Sequence, residues 1–165
     1  RADQPNSKWV TDVTEFNVRG DKLYLSPVLD LYNGEVVAYE TKEDPKMPLV
    51  SEMLKKALST LGRDEAPLLH SDQGWHYQMA SYQRQLAERG LTQSMSRKGN
   101  CLDNATMESF FGTLKSEYFY LNKFESVKEL EKGLKEYIHY YNNDRIKTKL
   151  KGLSPVQYRT QPSMA

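Results

Sequence analysis

The fold is decided by the stretch HSDQGWHYQMASYQRQLAERGLTQSMSRKGNCLDNATMESFFGTLKSE, which covers residues 70–117. Asp72 stands near its start, directly after the short apolar run at 68–71, which predicts a buried strand. Glu108 stands near its end, one turn into a predicted helix, and 35 residues separate the two acids. That spacing leaves room for a helix, a strand and a loop between them.

A third acid, Asp12, lies in the strand-like run at residues 8–14. Aspartate is depleted in strands, and an acid in a run that otherwise looks buried needs a metal ion or another partner. Three carboxylates from two strands and one helix would form a site for a hard cation such as Mg²⁺. Two alternatives stay open: Asp12 is an ordinary acid at a sheet edge, and Glu108 simply favours the positive end of a helix dipole.

The predicted helix that carries Glu108 begins at Asp103 or Asn104 and presents two faces. At about 100° per residue, a polar face lies beside an apolar stripe. The polar face contains Asn104, Glu108, Gly112 and Lys115, and the stripe contains Met107, Phe111, Leu114, Tyr118 and Leu121. We expect the stripe to face the core, which would place Glu108 at the edge of the buried face.

The rest of the chain predicts strands and helices in a fixed order. Residues 8–16, residues 22–31 and residues 36–39 after the Asn33-Gly34 turn should form an antiparallel meander. A helix at 54–61, a strand at 67–72, a helix at 78–89, a strand at 91–95 and a helix opened by the capping box of Ser126 and Glu129 complete the pattern. This order predicts an α/β fold with a five-stranded mixed sheet flanked by helices.

The composition is that of one globular domain. The chain has 165 residues, of which 38% are hydrophobic and 27% charged, which is enough apolar material for a core. It has no apolar run near 20 residues and no signal peptide, so we expect neither a membrane span nor secretion. Its one cysteine, Cys101, excludes an internal disulfide and a cysteine-rich zinc site. We expect residues 1–165 to form a single core, with residues 1–7 and about 159–165 as loose ends.

The net charge of +1 is low for a protein that binds DNA, but the positive charges are clustered. One cluster near the C-terminus contains Arg145, Lys147, Lys149 and Lys151. A second cluster, Arg97 and Lys98, lies in residues 96–103, which have no apolar period and predict a mobile loop before Glu108. Such runs are often solvated surface, so charge alone does not identify the partner.

Four motifs occur in order along the chain. They are Pro5-Asn6-x-x-Trp9-x-x-Asp12-x-Thr14, His70-Ser71-Asp72-x-Gly74-x-x-Tyr77, Asp103-Asn104-Ala105-x-x-Glu108-Ser109-Phe110-Phe111-x-x-Leu114-Lys115-x-Glu117, and Tyr141-Asn142-x-x-Arg145 followed by Gly152-Leu153-Ser154-Pro155. Together they resemble the catalytic core of insertion-sequence transposases of the integrase-core group, which is related to retroviral integrases. The resemblance extends from Pro5 to Tyr158. One position departs from it, since Lys147 stands where relatives commonly carry a histidine.

The resemblance implies an RNase H-like fold and a catalytic triad of Asp12, Asp72 and Glu108. These acids would hold two Mg²⁺ ions, for which Mn²⁺ would substitute. Asp12 would bridge the two ions, Asp72 would complete one of them and Glu108 the other. The resemblance and the positive clusters together predict DNA contacts. The residues expected to make them are Lys115, Arg97, Lys98, Asn104 and Arg145.

The activity implied is that of the catalytic domain of a DNA transposase. It would cut at transposon ends to expose a 3′-OH and use that hydroxyl to attack another phosphodiester. The implied partners are the transposon ends and target DNA, with a homo-oligomer on DNA, no small-molecule substrate and a location at the nucleoid in the bacterial cytoplasm. Two alternatives are an RNase H-like nuclease that only hydrolyses DNA and a catalytically silent DNA-binding or oligomerising remnant.

Overall fold

The computed structural model describes residues 2–96 and 105–161. The strands of this part of the chain are β1 (Lys8–Thr11), β2 (Thr14–Val18), β3 (Asp21–Asp30), β4 (Val36–Lys42), β5 (Leu68–Ser71) and β6 (Thr92–Met95). Its α-helices are α1 (Met47–Ser59), α2 (Trp75–Gln78), α3 (Ala80–Glu88), α4 (Ala105–Leu114), α5 (Val127–Asn143) and α6 (Pro155–Thr160). A π-helix (Lys115–Phe119) continues α4, and a 3-10 turn (Thr148–Leu150) precedes α6. Among these described helices, none has the length and apolar character to cross a membrane.

The strands form one mixed sheet in the order β2–β3–β1–β5–β6, and β4 also pairs with β3. Strands β1, β2 and β4 run antiparallel to β3, whereas β1, β5 and β6 run parallel to one another. The predicted α/β fold with a mixed sheet and flanking helices is therefore confirmed. The predicted number of strands was wrong, because the described residues contain six rather than five.

The additional strand arises because the predicted strand at residues 8–16 is divided at Asp12 and Val13. Its two halves, β1 and β2, keep the same pairing register against β3, which places Pro27 opposite Asp12. Proline has no N–H to donate to the ladder, so regular pairing stops there. The Thr11 hydroxyl donates to the Pro27 carbonyl at 2.8 Å, and the Val13 N–H donates to the Asp12 carboxylate at 2.8 Å. The break leaves Asp12 just beyond the end of β1.

Successive strand residues point to opposite sides of the sheet and bury two hydrophobic layers. Trp9 faces the layer that contains residues of α1 and α3, among them Val50, Met53, Leu54, Tyr82 and Leu86. Val10 faces the layer that contains residues of α4 and α5, among them Met107, Phe110, Leu114, Leu130 and Leu134. The sheet is thus covered on both faces, and α4 lies on the same side as Val10.

The apolar stripe predicted for the Glu108 helix was wrong at two positions. Phe110 is fully buried, as its spacing of three residues from Met107 allows, whereas Leu121 is 74% exposed. Leu121 leaves the stripe because α4 ends at Leu114 and the wider π-helix turns the following residues out of register. Tyr118 of the π-helix lies against α5 at Gly133, where a Cβ atom would come 1.9 Å from the tyrosine hydroxyl.

Two residues that we expected in loose ends are held by a buried acid. Asp30 is fully buried, and its Oδ2 accepts hydrogen bonds from the Asn6 backbone N–H at 2.8 Å and from Arg159 Nη2 at 2.7 Å. Arg159 also donates to the side-chain oxygens of Asn6 and Glu35. Two distant parts of the chain are therefore joined beside the β3–β4 turn, which a local sequence pattern does not indicate.

Candidate active site

Asp12 and Asp72 follow neighbouring parallel strands at the same level. In the pairing of β1 with β5, Lys8 lies opposite Leu68 and Val10 opposite His70. Each residue of β1 thus lies opposite the residue 60 positions later in β5. If this register continues by one residue beyond the end of each strand, Asp12 lies opposite Asp72. Neighbouring strands are about 4.8 Å apart, so the sheet itself brings the two carboxylates together at its edge.

The carboxylate of Asp12 lies in a half-buried and strongly negative environment. Burial is the main cause that raises its pKa, and the negative charges of Asp72 and Glu108 add to the increase. The hydrogen bond from the Val13 N–H opposes it, and the net result is a pKa of about 6 instead of the ordinary 3.8. The charges of both other predicted triad members therefore act on Asp12.

The carboxylate of Asp72 is positioned by the turn that follows β5. Its Oδ1 accepts the Gly74 backbone N–H at 2.7 Å, which fixes the side chain at the start of α2. A Cβ atom at Gly74 would lie 2.9 Å from that oxygen and 3.4 Å from the ring of Tyr77. The glycine of the Asp-x-Gly-x-x-Tyr motif is thus required by crowding rather than by its backbone angles, a role that sequence reasoning did not identify.

Glu108 lies on a helix that covers the sheet rather than on a strand of it. It lies in the first turn of α4, its side chain is exposed, and the neighbouring Met107 is fully buried. Because α4 packs against β1 on the side of Val10, and Asp12 follows Val10 by two residues, Glu108 lies on the side of the sheet that Asp12 faces. Packing of α4, not strand pairing, sets the position of this third acid.

The three acids fit a hard divalent cation by their chemistry, since all their donor atoms are carboxylate oxygens. Within residues 2–96 and 105–161, however, no three acidic, histidine or cysteine side chains are close enough to hold a metal ion. The negative charges of Asp72 and Glu108 nevertheless act on the carboxylate of Asp12, because electrostatic interactions extend beyond ligand distance.

The two histidines that flank Asp72 have structural partners. The Nδ1 atom of His70 lies 3.0 Å from the Ser94 hydroxyl on β6, and the Nε2 atom of His76 lies 2.6 Å from the Pro45 carbonyl. Both imidazoles are buried. Their contacts hold β5 to β6 and α2 to the segment before α1.

The predicted DNA contacts divide into two groups. Arg97, Lys98 and Asn104 lie outside the described residues. The ammonium of Lys115 lies 5.3 Å from the centre of the Phe16 ring, and burial lowers its pKa while Glu15 opposes that change. Lys115 is therefore a half-buried cation at the start of the π-helix, seven residues beyond Glu108.

Arg145, the fifth predicted DNA contact, has an intramolecular partner. Its Nε and Nη2 atoms donate to the two carboxylate oxygens of Glu117 at 2.9 Å and 2.6 Å, and Glu117 also accepts the Tyr137 hydroxyl at 2.8 Å. This bidentate pair joins the end of α5 to the π-helix that continues α4. Sequence reasoning missed this contact, although both residues stand in the quoted motifs.

Lys147 occupies the position at which the family resemblance predicts a histidine. Its ammonium donates to the Tyr141 hydroxyl, lies 4.5 Å from the centre of that ring and closely approaches Gly34. Burial, together with the positive charges of Arg145 and Lys149, lowers its pKa to about 8. The half-buried lysine thus packs against Tyr141 of α5.

Sequence comparison identifies the class of protein. Models of the integrase core domain match residues 2–101 and residues 108–162. The chain therefore belongs to the integrase core domain family, as its motifs predicted.

Its relatives include bacterial transposases. The chain is 59% identical over 164 residues to a putative transposase of the insertion sequence element IS150 from Escherichia coli K12, a match that covers 99% of this chain and 58% of that protein. It is 57% identical over 160 residues to a transposase-like protein of Haemophilus influenzae, with 97% of this chain and 74% of that protein covered. The chain thus spans little more than half the length of the IS150 transposase.

Solved structures with the same fold include retroviral proteins. The integrase intasome of simian T-cell lymphotropic virus, bound to the PP2A subunit B56 gamma, matches with a TM-score of 0.83 at 20% identity over 100% of this chain and 58% of that chain. The HTLV-2 integrase catalytic core in complex with magnesium matches with a TM-score of 0.76 at 19% identity over 96% of this chain and 99% of that chain. These likenesses confirm the predicted RNase H-like fold.

Proposed function

We propose that this chain is the metal-dependent catalytic core of a DNA transposase, which cuts at transposon ends and joins the exposed 3′-OH to another phosphodiester. The observation that carries the proposal is the pairing of β1 with β5, whose register sets Asp12 opposite Asp72, and the charges of Asp72 and Glu108 both act on Asp12. Crowded carboxylates repel one another, and a divalent cation relieves that repulsion. The transposase relatives supply the substrate class for such a site.

The three carboxylates would hold two Mg²⁺ ions, with Mn²⁺ as a substitute. When bound, such ions activate the attacking oxygen and stabilise charge on the leaving oxygen of an in-line displacement. Asp12 would be a ligand of both ions, since the charges of both other acids act on it. Asp72 would complete the ligands of one ion and Glu108 those of the other. Because Asp12 takes up a proton near pH 6, cation binding should weaken as the pH falls below that value.

The remaining parts of the proposal concern DNA and assembly. Lys115, on the α4 side of the sheet, would contact the phosphate backbone, as would Arg97, Lys98, Asn104 and Arg145. The chain would act as one core of residues 1–165 within a homo-oligomer assembled on DNA, at the nucleoid in the bacterial cytoplasm. No small-molecule substrate is required for this reaction.

The test is joining of labelled terminal repeats from the element that encodes the chain, with and without Mg²⁺. We expect strand-joined products that require the cation and disappear in the Asp72→Asn variant. Cleavage without joining would instead identify a nuclease that only hydrolyses DNA. Absence of both reactions, together with no cation binding in a calorimetric titration, would identify a silent remnant and refute the proposal.

A further inference from the structure

Trp75 is a large aromatic residue on the surface beside the acidic site. It opens α2 three residues after Asp72, and 54% of it is exposed. The other tryptophan of the chain, Trp9, is fully buried. Three residues of extended chain span about 10 Å, so the backbone of Trp75 lies within about that distance of Asp72.

The indole of Trp75 is supported on one side. Its ring stacks on the imidazole of His76 with 3.9 Å between centroids and 25° between planes. His76 is itself buried and held at the Pro45 carbonyl, and the turn before Trp75 is fixed by the bond from the Gly74 N–H to Asp72. An aromatic ring with one supported side and a large exposed area is ready to stack on a flat partner.

We infer that Trp75 is a stacking platform for an unpaired nucleobase of the DNA strand held at the acidic site. The inference rests on the proposed function, since it takes the reacting phosphate to lie at Asp12, Asp72 and Glu108. Nucleotides rise about 3.4 Å each along a duplex strand, so bases one to three nucleotides from that phosphate come within reach of the indole. Aromatic side chains bind unstacked bases of any sequence, and enzymes that react with DNA often displace bases from the stack.

The surface next to Trp75 fits the same ligand. Met79, the residue that follows α2, is 43% exposed, and its thioether adapts to flat aromatic partners. Trp75 and Met79 are thus two exposed apolar side chains of the same short segment, which follows Asp72. A nucleobase would cover these side chains while its phosphate remained at the carboxylates.

A simpler role for Trp75 is to shield His76 from solvent, and substitutions distinguish this role from base stacking. Shielding needs only an apolar side chain of sufficient size, so Trp75→Leu should still shield His76. Stacking needs an aromatic ring, so Trp75→Phe should largely retain stacking, whereas Trp75→Leu should not. Tyr120 provides a matched control, because it is also an exposed aromatic residue, at 71%, but lies beside the β2–β3 turn. Tyr120→Ala should change neither binding nor joining.

The first experiment measures tryptophan fluorescence of the 165-residue chain while DNA is added. Because Trp9 is buried, a change in emission reports on Trp75. We expect quenching by a terminal-repeat duplex with two unpaired nucleotides at its end, weaker quenching by the fully paired duplex, and none in Trp75→Phe. A random-sequence duplex with the same unpaired nucleotides shows whether the base comes from the transposon end or from any DNA.

The second experiment measures DNA binding and joining by the variants. Stacking of one base predicts a loss of about 5- to 100-fold for Trp75→Leu and a loss under about threefold for Trp75→Phe. Equal activity of the leucine variant and wild type, or quenching that paired and unpaired ends produce equally, would overturn the inference. Melting temperatures of the variants show whether a loss comes from unfolding.

The Asp72→Asn variant separates this inference from the proposed function. If the function is correct, Asp72→Asn abolishes joining while DNA still quenches Trp75. If quenching occurs but wild type neither cuts nor joins, the platform stands and the transposase proposal fails. Joining by wild type without any quenching leaves the function intact and removes the platform.

Discussion

The two aspartates and the glutamate of the acidic site are held by different kinds of structure. Asp12 and Asp72 follow β1 and β5, whose backbone hydrogen bonds fix their relative level. Glu108 is carried by α4, which packs on the sheet through side chains. The hydrogen bonds of the sheet therefore place the two aspartates, whereas the position of Glu108 depends on how one helix packs.

The position of α4 depends in turn on α5. The ring of Phe110 meets that of Tyr141 edge to face at 4.9 Å, and Tyr118 fills the notch at Gly133. The ion pair of Glu117 with Arg145 ties the π-helix to the end of α5. Perturbing these contacts should move Glu108 without moving the aspartates.

Removal of any one of the three acids should cause the greatest loss of activity, because the reaction should need all three, whether a strand or a helix holds them. Asp12→Asn, Asp72→Asn and Glu108→Gln should each reduce DNA joining by on the order of a thousandfold or more, since an amide does not replace an anionic oxygen at a divalent cation. Joining assays at saturating Mg²⁺ measure the loss. Asp64→Asn, in an exposed turn, is the control and should retain full activity. Near-normal joining by any one variant would remove that residue from the site.

Gly74→Ala should damage the aspartate pair selectively. The added Cβ atom would lie 2.9 Å from Asp72 Oδ1, so the carboxylate must move. Misplacement of a reacting group by about 1 Å costs roughly 100-fold, and we expect a loss of joining of about 10- to 100-fold with little change in melting temperature. Equal losses of stability and activity would show that the turn serves the fold rather than the acid.

Gly133→Ala should act on the helix that carries Glu108, because it disturbs the packing between α5 and the π-helix that continues α4. The new Cβ atom would meet the hydroxyl and the ring of Tyr118, and overpacking of this kind costs about 1–3 kcal/mol of unfolding free energy. Chemical denaturation measures this loss. Joining should fall less steeply than in Gly74→Ala, and combination with Tyr118→Phe should restore part of the stability. A stabilising effect, as expected for alanine in an unobstructed helix, would contradict this account.

The sequence predicted those features that local patterns encode. The order of strands and helices and the buried stripe of α5 follow from periodicity and turn residues. The residues of that stripe are Val127, Leu130, Leu134, Ile138 and Tyr141. The RNase H-like fold came from resemblance to a family.

What the sequence did not predict depends on contacts between distant residues. The break between β1 and β2 is set by Pro27, which reaches Asp12 only through strand pairing. Burial of Asp30 joins Asn6 to Arg159, although 153 positions separate those two residues. Tertiary partners of this kind leave no periodic signal in the chain.

The pKa of Asp12 predicts a pH-dependent difference between wild type and Asp12→Asn without metal. Because the folded protein holds this proton up to about pH 6 and the unfolded chain only to about 3.8, ionisation costs the folded state stability. That cost is absent below the ordinary pKa and complete above pH 6. With allowance for solvent at a half-buried site, the variant should be about 1–2 kcal/mol more stable at pH 8 and equal to wild type near pH 3.

Denaturant titrations at pH 8 and at pH 3–4 measure this difference in unfolding free energy. Adding Mg²⁺ at pH 8 should stabilise wild type and leave Asp12→Asn unchanged. The difference in unfolding free energy between them should therefore become smaller. Asp64→Asn should show no difference at either pH. A variant that is less stable than wild type at pH 8 would mean that Asp12 stabilises the fold, through its bond to Val13, more than its charge destabilises it.

The weakest effect should come from Lys115, which begins the π-helix that continues α4. We propose that its ammonium contacts DNA and does not take part in metal binding. Its ammonium is half-buried over Phe16, so a phosphate would supply the anionic partner that burial makes valuable. Lys115→Ala should weaken DNA binding about three- to fivefold at moderate salt and lower the slope of log affinity against log salt by about 0.9, the value for one phosphate contact. Its effect on Mg²⁺ affinity, measured without DNA, should be much smaller. Lys128→Ala, an exposed lysine at the start of α5, is the control. An unchanged salt slope in Lys115→Ala, equal to that of the control, would assign Lys115 to the surface of the fold and leave Glu108 as the functional residue of that helix.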